Sequence, residues 1–127
     1  MSTVSVHISE DSSALRTLLR RWLERDERLT VVGEAGTGED ALLGVAATQP
    51  DVALLDLSMP RSRGGDMIAA IRERSPDTRV LVLTGTALGP ASKIMQEADG
   101  FLLKPAPMPQ LASIVCDVAA GVAVRPV

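Results

Sequence analysis

Four places in the chain put a charged or hydroxyl side chain just past a short stretch of apolar or alternating apolar residues. Glu10 and Asp11 come after Val4, Val6 and Ile8, Asp56 follows the run 52–55, Thr84 follows 80–83, and Lys104 follows 101–103. If these runs are strands of one sheet, three carboxylates, a hydroxyl and an ammonium converge on one edge. Carboxylates gathered in this way repel one another unless a hard cation neutralises them, and Mg²⁺ suits oxygen ligands that leave sites for water and phosphate. An Asp in such a place can attack phosphorus and form an aspartyl-phosphate. A metal, a lysine ammonium and a hydroxyl donor would then hold the oxygens of the transferring group. Each residue also has a plainer reading. Glu10 and Asp11 can cap the next helix, Thr84 before Gly85 is an ordinary turn residue, and Lys104 before Pro105 can be a solvated surface lysine. The weight lies in all four strand ends carrying a fitting type at once.

The elements that must position these residues follow from periodicity. Val4, Val6 and Ile8 open a first strand, and Leu15, Leu18, Leu19, Trp22 and Leu23 recur at helical spacing from a start near Ser12. A second strand is expected over 29–35. Thr37 and Asp40 then resemble a capping box for a helix running to about Thr48, which Pro50 stops. The continuous apolar runs 52–55 and 80–83 read as strands buried on both faces. Between them lie a loop over 60–65 and a helix marked by Met67, Ile68 and Ile71. A short helix over 90–97 leads to a fifth strand at 101–103, and Leu111, Ile114, Val115, Val118 and Ala119 mark a last helix behind Pro107 and Pro109. Strict alternation of strand and helix calls for a mostly parallel sheet with helices on both faces, since each parallel connection needs a crossover. The expected fold is a single doubly wound α/β domain, with ligands outside the carboxyl ends of its strands.

Composition narrows the function. A chain of 127 residues with 46% hydrophobic content has the size and apolar share of one packed domain. Its net charge of −3 offers no basic footprint, so direct nucleic-acid binding by this chain is not expected. Cys116 is the lone cysteine and His7 the lone histidine, which excludes an internal disulfide and a cysteine- or histidine-rich metal centre and fits a reducing cytoplasm. No apolar run approaches the roughly 20 residues of a membrane span, and the N-terminus lacks the pattern of an export signal. Of the 13 basic residues 11 are Arg, so Lys104 is one of only two lysines.

The segments Val6-His7-Ile8-Ser9-Glu10-Asp11, Val52-Ala53-Leu54-Leu55-Asp56-Leu57-Ser58-Met59-Pro60, Val80-Leu81-Val82-Leu83-Thr84-Gly85 and Gly100-Phe101-Leu102-Leu103-Lys104-Pro105 resemble, in order, the receiver domains of two-component response regulators. The resemblance implies a flavodoxin/CheY-like (βα)5 fold with strand order 2-1-3-4-5. It implies that a histidine kinase or phosphotransfer protein donates a phosphoryl group to Asp56, and that the domain is not an enzyme beyond its own phosphorylation and dephosphorylation. Asp11, Asp56 and the backbone carbonyl of Ser58 would bind Mg²⁺, Glu10 would act through water, and Thr84 and Lys104 would grip the phosphoryl oxygens. Phe101 stands in the place of the family's switch aromatic. The stretch 31–42 looks like receivers of the NarL/LuxR type, which usually precede a helix-turn-helix domain. Transcription would then be controlled by a DNA-binding domain absent from this chain. The receiver is expected over 1–121, with 122–127 a tail or the start of a linker. A homodimer is left open, and the alternative function is a degenerate receiver that docks partners without being phosphorylated.

Three features depart from that pattern. From Thr84 to Phe101 is 101 − 84 = 17 positions, a residue or two short, which trims the fourth helix and its loop. Phe101 lacks a hydroxyl, so any coupling to Thr84 would be steric. Arg61 and Arg63 stand where the family often has small, apolar or acidic residues, and read most simply as solvated loop charges. Two competing signals are weaker. Gly36-Thr37-Gly38-Glu39-Asp40-Ala41 fits a dinucleotide fingerprint with Asp56 lying 56 − 38 = 18 residues past Gly38, but that fingerprint belongs after the first strand of its unit. The phosphatases resembling haloacid dehalogenases need a second acid where this chain has Ser58. His7 and Met59 read as packing residues, and Cys116 has no basic neighbour in the sequence to activate it.

Overall fold

A computed structural model describes residues 3–57, 59, 64–85, 92–122 and 124. Strands and helices alternate as β1 (Val4–Ser9), α1 (Ser13–Glu24), β2 (Leu29–Ala35), α2 (Gly38–Thr48), β3 (Val52–Asp56), α3 (Gly64–Arg74), β4 (Arg79–Thr84), α4 (Lys93–Glu97), β5 (Gly100–Leu103) and α5 (Met108–Ala119). The strands form one sheet in the order β2-β1-β3-β4-β5, with every adjacent pair parallel. This is the doubly wound arrangement expected from the alternation of elements, in the strand order that the resemblance to receiver domains implies. The third helix starts at Gly64, inside the stretch 60–65 expected to be a loop.

Local chemistry explains the boundaries. Ser12 caps α1 by accepting the Leu15 N–H at 3.2 Å, and Thr37 caps α2 by accepting the Asp40 N–H at 3.1 Å. Gln49 ends α2 in the left-handed region at φ 46°, one residue before Pro50. Its side chain offsets that conformation by donating to Ala46 O and Arg74 O.

The apolar side chains divide between the two faces of the sheet. Val6, Ile8, Leu54, Leu81 and Leu83 pack with Leu19, Leu23, Leu111 and Val115 beneath α1 and α5. Ala53, Leu55, Val80 and Val82 pack with Ala41, Val45, Ile68, Ile71 and Phe101 on the other side. β3 is buried along its whole length, as its uninterrupted apolar run requires of a central parallel strand. Its last residue is Asp56, so the same burial that stabilises the strand carries a carboxylate into the edge of the core.

One irregularity in β1 and β2 has a visible cause. Pairing runs from Val6↔Val31 to His7↔Gly33, leaving Val32 as an extra residue. His7 is buried, and a Cβ on Gly33 would come within 2.8 Å of its Cδ2, while one on Gly44 of α2 would come within 2.4 Å of its Nε2. Two glycines on different elements therefore make the space that the imidazole fills.

Candidate functional site

The carboxyl ends of β1, β3, β4 and β5 meet at one edge of the sheet. Glu10 follows β1 and is 1% exposed, its N–H donating to Ala35 O at 2.9 Å. Asp56 ends β3 and is equally buried, Thr84 ends β4 and is buried, and Lys104 follows β5 with its N–H donating to Thr84 O at 2.7 Å. Asp11 is exposed on the rim. The peptide bond Lys104–Pro105 is cis.

The charges are closely arranged. Lys104 Nζ lies 2.7 Å from Asp56 Oδ2 and 3.8 Å from Glu10 Oε2. Glu10, Asp11 and Asp56 each offer a carboxylate oxygen within 4.8 Å of the others. Glu10 Oε1 accepts the Ser12 N–H at 3.2 Å, whereas Oε2 is buried and accepts no hydrogen bond. A buried carboxylate oxygen left in that condition is costly unless a cation or water completes its surroundings. All-oxygen donors, an acidic excess and one rim carboxylate open to solvent fit a small divalent ion that keeps several waters.

The residues expected at the site are thus brought together where they are described: Glu10, Asp11, Asp56, Thr84 and Lys104 share the edge. Phe101 is 1% exposed and packs in the cluster that holds Leu55 and Val82, one residue from Asp56 and two from Thr84 along their strands. Ser58, Arg61 and Arg63 lie outside the described residues. Met59 is buried in the hydrophobic cluster that holds Leu55 and Phe101, as its reading as a packing residue requires.

Arg16 has no distinguishing signal in the sequence. From the first turns of α1 its Nη1 donates to the Glu10 main-chain carbonyl at 2.8 Å, while its Nε is 3.3 Å from Glu34. It fixes the β1–α1 turn that presents Glu10 and Asp11. On sequence alone it is one more arginine on the polar face of an amphipathic helix. Cys116 likewise meets Arg28 only in space, and burial outweighs that charge to push the thiol upward from its ordinary value.

Sheet order and acidic edge together fall in the CheY-like class. The family model of the response regulator receiver domain matches residues 6–116, and the chain belongs to that family, the receivers of two-component signalling. Over 120 residues it is 37% identical to the DNA-binding transcriptional activator DevR/DosR of Mycobacterium tuberculosis, covering 93% of this chain and 55% of that protein. It is 34% identical, with the same coverage, to response regulator UvrY of Escherichia coli O157:H7. The receiver domain of the response regulator NarL from Mycobacterium tuberculosis superposes with a TM-score of 0.87 at 36% identity, covering 95% of this chain and 99% of that one. The chain spans about half the length of the curated relatives it matches. No helix among the described residues is long and apolar enough to cross a membrane.

Proposed function

We propose that Asp56 is the phosphoacceptor of this receiver and that its donor is the phosphohistidine of a kinase or phosphotransfer protein. A carboxylate oxygen of Asp56 attacks phosphorus, the P–O bond forms as the P–N bond breaks, and the electron pair leaves with the imidazole, which takes up a proton. The observation that carries this reading is the Lys104 ammonium held 2.7 Å from Asp56 inside a three-carboxylate cluster. A cation placed there neutralises negative charge as it gathers on the phosphoryl oxygens. Thr84 would donate its hydroxyl to another of those oxygens.

Asp11 and Asp56, with the Ser58 carbonyl, would hold Mg²⁺, and Glu10 would act through water. When bound, the ion supplies charge neutralisation and a template for the phosphoryl oxygens. Glu10 Oε2, buried without a hydrogen-bond donor, supports that assignment. Arg16 orients the turn that presents Glu10 and Asp11, and Phe101 would sense the change at Asp56 by packing alone, having no hydroxyl. The domain then catalyses nothing beyond its own phosphorylation and dephosphorylation. Its setting would be the cytoplasm, and its output transcription, through a DNA-binding domain outside these residues.

The test is intact-mass analysis after incubation with a small phosphodonor. One phosphoryl group is expected, dependent on Mg²⁺ and absent from Asp56→Asn. Equal labelling of the mutant overturns the assignment. No labelling of either chain, with partner binding unchanged by the mutation, would instead indicate a docking module.

A further inference from the structure

The chain does not leave the domain when α5 ends. Gly121 takes φ +85°, its N–H donates to Val118 O at 3.0 Å, and the Val122 N–H donates to Asp117 O at 2.9 Å. Such a helix ending reverses the chain, and a glycine closes it without strain. The reversal brings Val124 to the sheet. Val124 pairs in parallel with Gly100, and its carbonyl accepts the Phe101 N–H at 2.9 Å. Its side chain is half-buried against the cluster containing Leu81 and Val118. β5 is the last strand of the sheet, so its outer edge would otherwise present unpaired backbone groups.

Phe101 belongs to two assemblies at once. Its N–H is bonded to Val124, while its side chain is buried in the cluster beneath the site. Three residues on, Lys104 bonds Thr84 O through its N–H and Asp56 through its ammonium, each at 2.7 Å. The outer edge of β5 and the charge at Asp56 are thus joined through four consecutive residues.

We propose that Gly121, Val122 and Val124 form a strap on the outer edge of β5 whose docking is coupled, through Phe101 and Lys104, to the chemical state of Asp56. The coupling rests on the reading of Asp56 as phosphoacceptor. The strap is docked while Lys104 holds the free carboxylate. A phosphoryl group would offer Lys104 an acceptor further from β3 and so displace the end of β5, which makes the free carboxylate and the docked strap mutually favourable. Binding free energies couple reciprocally, so loosening the strap eases modification by the factor that modification loosens the strap.

The experiment follows hydrogen exchange of the Phe101 amide by NMR, with beryllofluoride and Mg²⁺ as the phosphoryl mimic and its binding read separately by fluorine NMR. Three chains are compared: the full chain, Val124→Asp, and a chain ending at Gly121. In the unmodified full chain Phe101 should exchange at least about tenfold more slowly than in either variant. Beryllofluoride should speed its exchange about threefold, and both variants should bind beryllofluoride about threefold more tightly. Equal exchange in all three chains means there is no strap and overturns the proposal. Protection that beryllofluoride leaves unchanged or strengthens overturns the coupling. Failure of the full chain to bind beryllofluoride at all overturns the reading of Asp56 and the coupling with it, while the exchange comparison still reports whether the strap exists.

Discussion

Lys104 Nζ stands 2.7 Å from Asp56 Oδ2, Asp56 being the last residue of β3 and Lys104 the first after β5, two strands separated in the sheet by β4. The same ammonium faces Glu10 Oε2 at 3.8 Å, so one cation serves two carboxylates that are each about 1% exposed. Among the described residues the site concentrates negative charge beyond what its lysine balances, which is unfavourable for the resting fold.

That imbalance should appear as stability. In Mg²⁺-free buffer Asp56→Asn removes one of the crowded charges and should raise the free energy of unfolding by about 1 kcal/mol. Lys104→Met leaves both carboxylates without their ammonium and should lower it by about 1–2 kcal/mol, discounted from a fully buried pair because the lysine is partly solvated. Urea titrations of the two single variants and the double variant check this. The double variant should be more stable than the sum of the two single effects predicts, because Lys104→Met costs less once Asp56 is uncharged, and strictly additive effects would contradict a shared network.

Mg²⁺ should reverse the penalty. Because it would bind the folded site and not the unfolded chain, it should raise the melting temperature of the wild type progressively with concentration. Asp11→Ala should flatten that dependence while changing metal-free stability little, since Asp11 is exposed. An identical Mg²⁺ response in the variant would remove Asp11 from the set of ligands.

His7 should make the domain acid-sensitive. Burial pushes the imidazole below its ordinary value of 6.5, and the nearby Glu34 charge opposes this only in part. The unfolded chain therefore binds the proton at higher pH than the folded one. The stability contributed by neutral His7 is complete above pH 6.5 and is lost as the pH falls through that value toward the folded pKa. Its slope is at most about 1.4 kcal/mol per pH unit. Unfolding titrations of wild type and His7→Gln between pH 7.5 and about 5 should diverge in this sense. Parallel curves would mean that His7 does not titrate differently on folding.

The imidazole also dictates a glycine on another element. A Cβ at position 44 would lie 2.4 Å from His7 Nε2, so Gly44→Ala should cost about 1–3 kcal/mol in spite of the better helix propensity of alanine. In a His7→Ala background the same change should be neutral or stabilising. Equal costs in the two backgrounds, measured by chemical denaturation, would show that the crowding is relieved elsewhere.

This last pair marks the boundary of what the sequence reveals. The runs ending at Asp56 and Thr84 were legible because a strand buried on both faces must be apolar throughout, and the first polar residue after it must fall at the sheet edge. Thr37 and Ser12 were legible because caps act within three residues. Gly44 reads only as a weak helix residue until folding places it against His7. The hydrogen bonds of Arg16 to the Glu10 carbonyl and of Phe101 to the Val124 carbonyl are similarly tertiary, with no local pattern to announce them. The short α4 was visible as a helix, whereas the stretch 86–91 before it lies outside the described residues.

The most direct test of the central claim is chemical mapping of the phosphorylated residue. After incubation with a small phosphodonor and Mg²⁺, borohydride reduces an aspartyl-phosphate to homoserine, and peptide mass analysis locates it. Homoserine at position 56, lost when Mg²⁺ is withheld, is the expected result. Homoserine at Asp11 or any other acid, or none in a chain shown to carry the phosphoryl group, would contradict the assignment of Asp56.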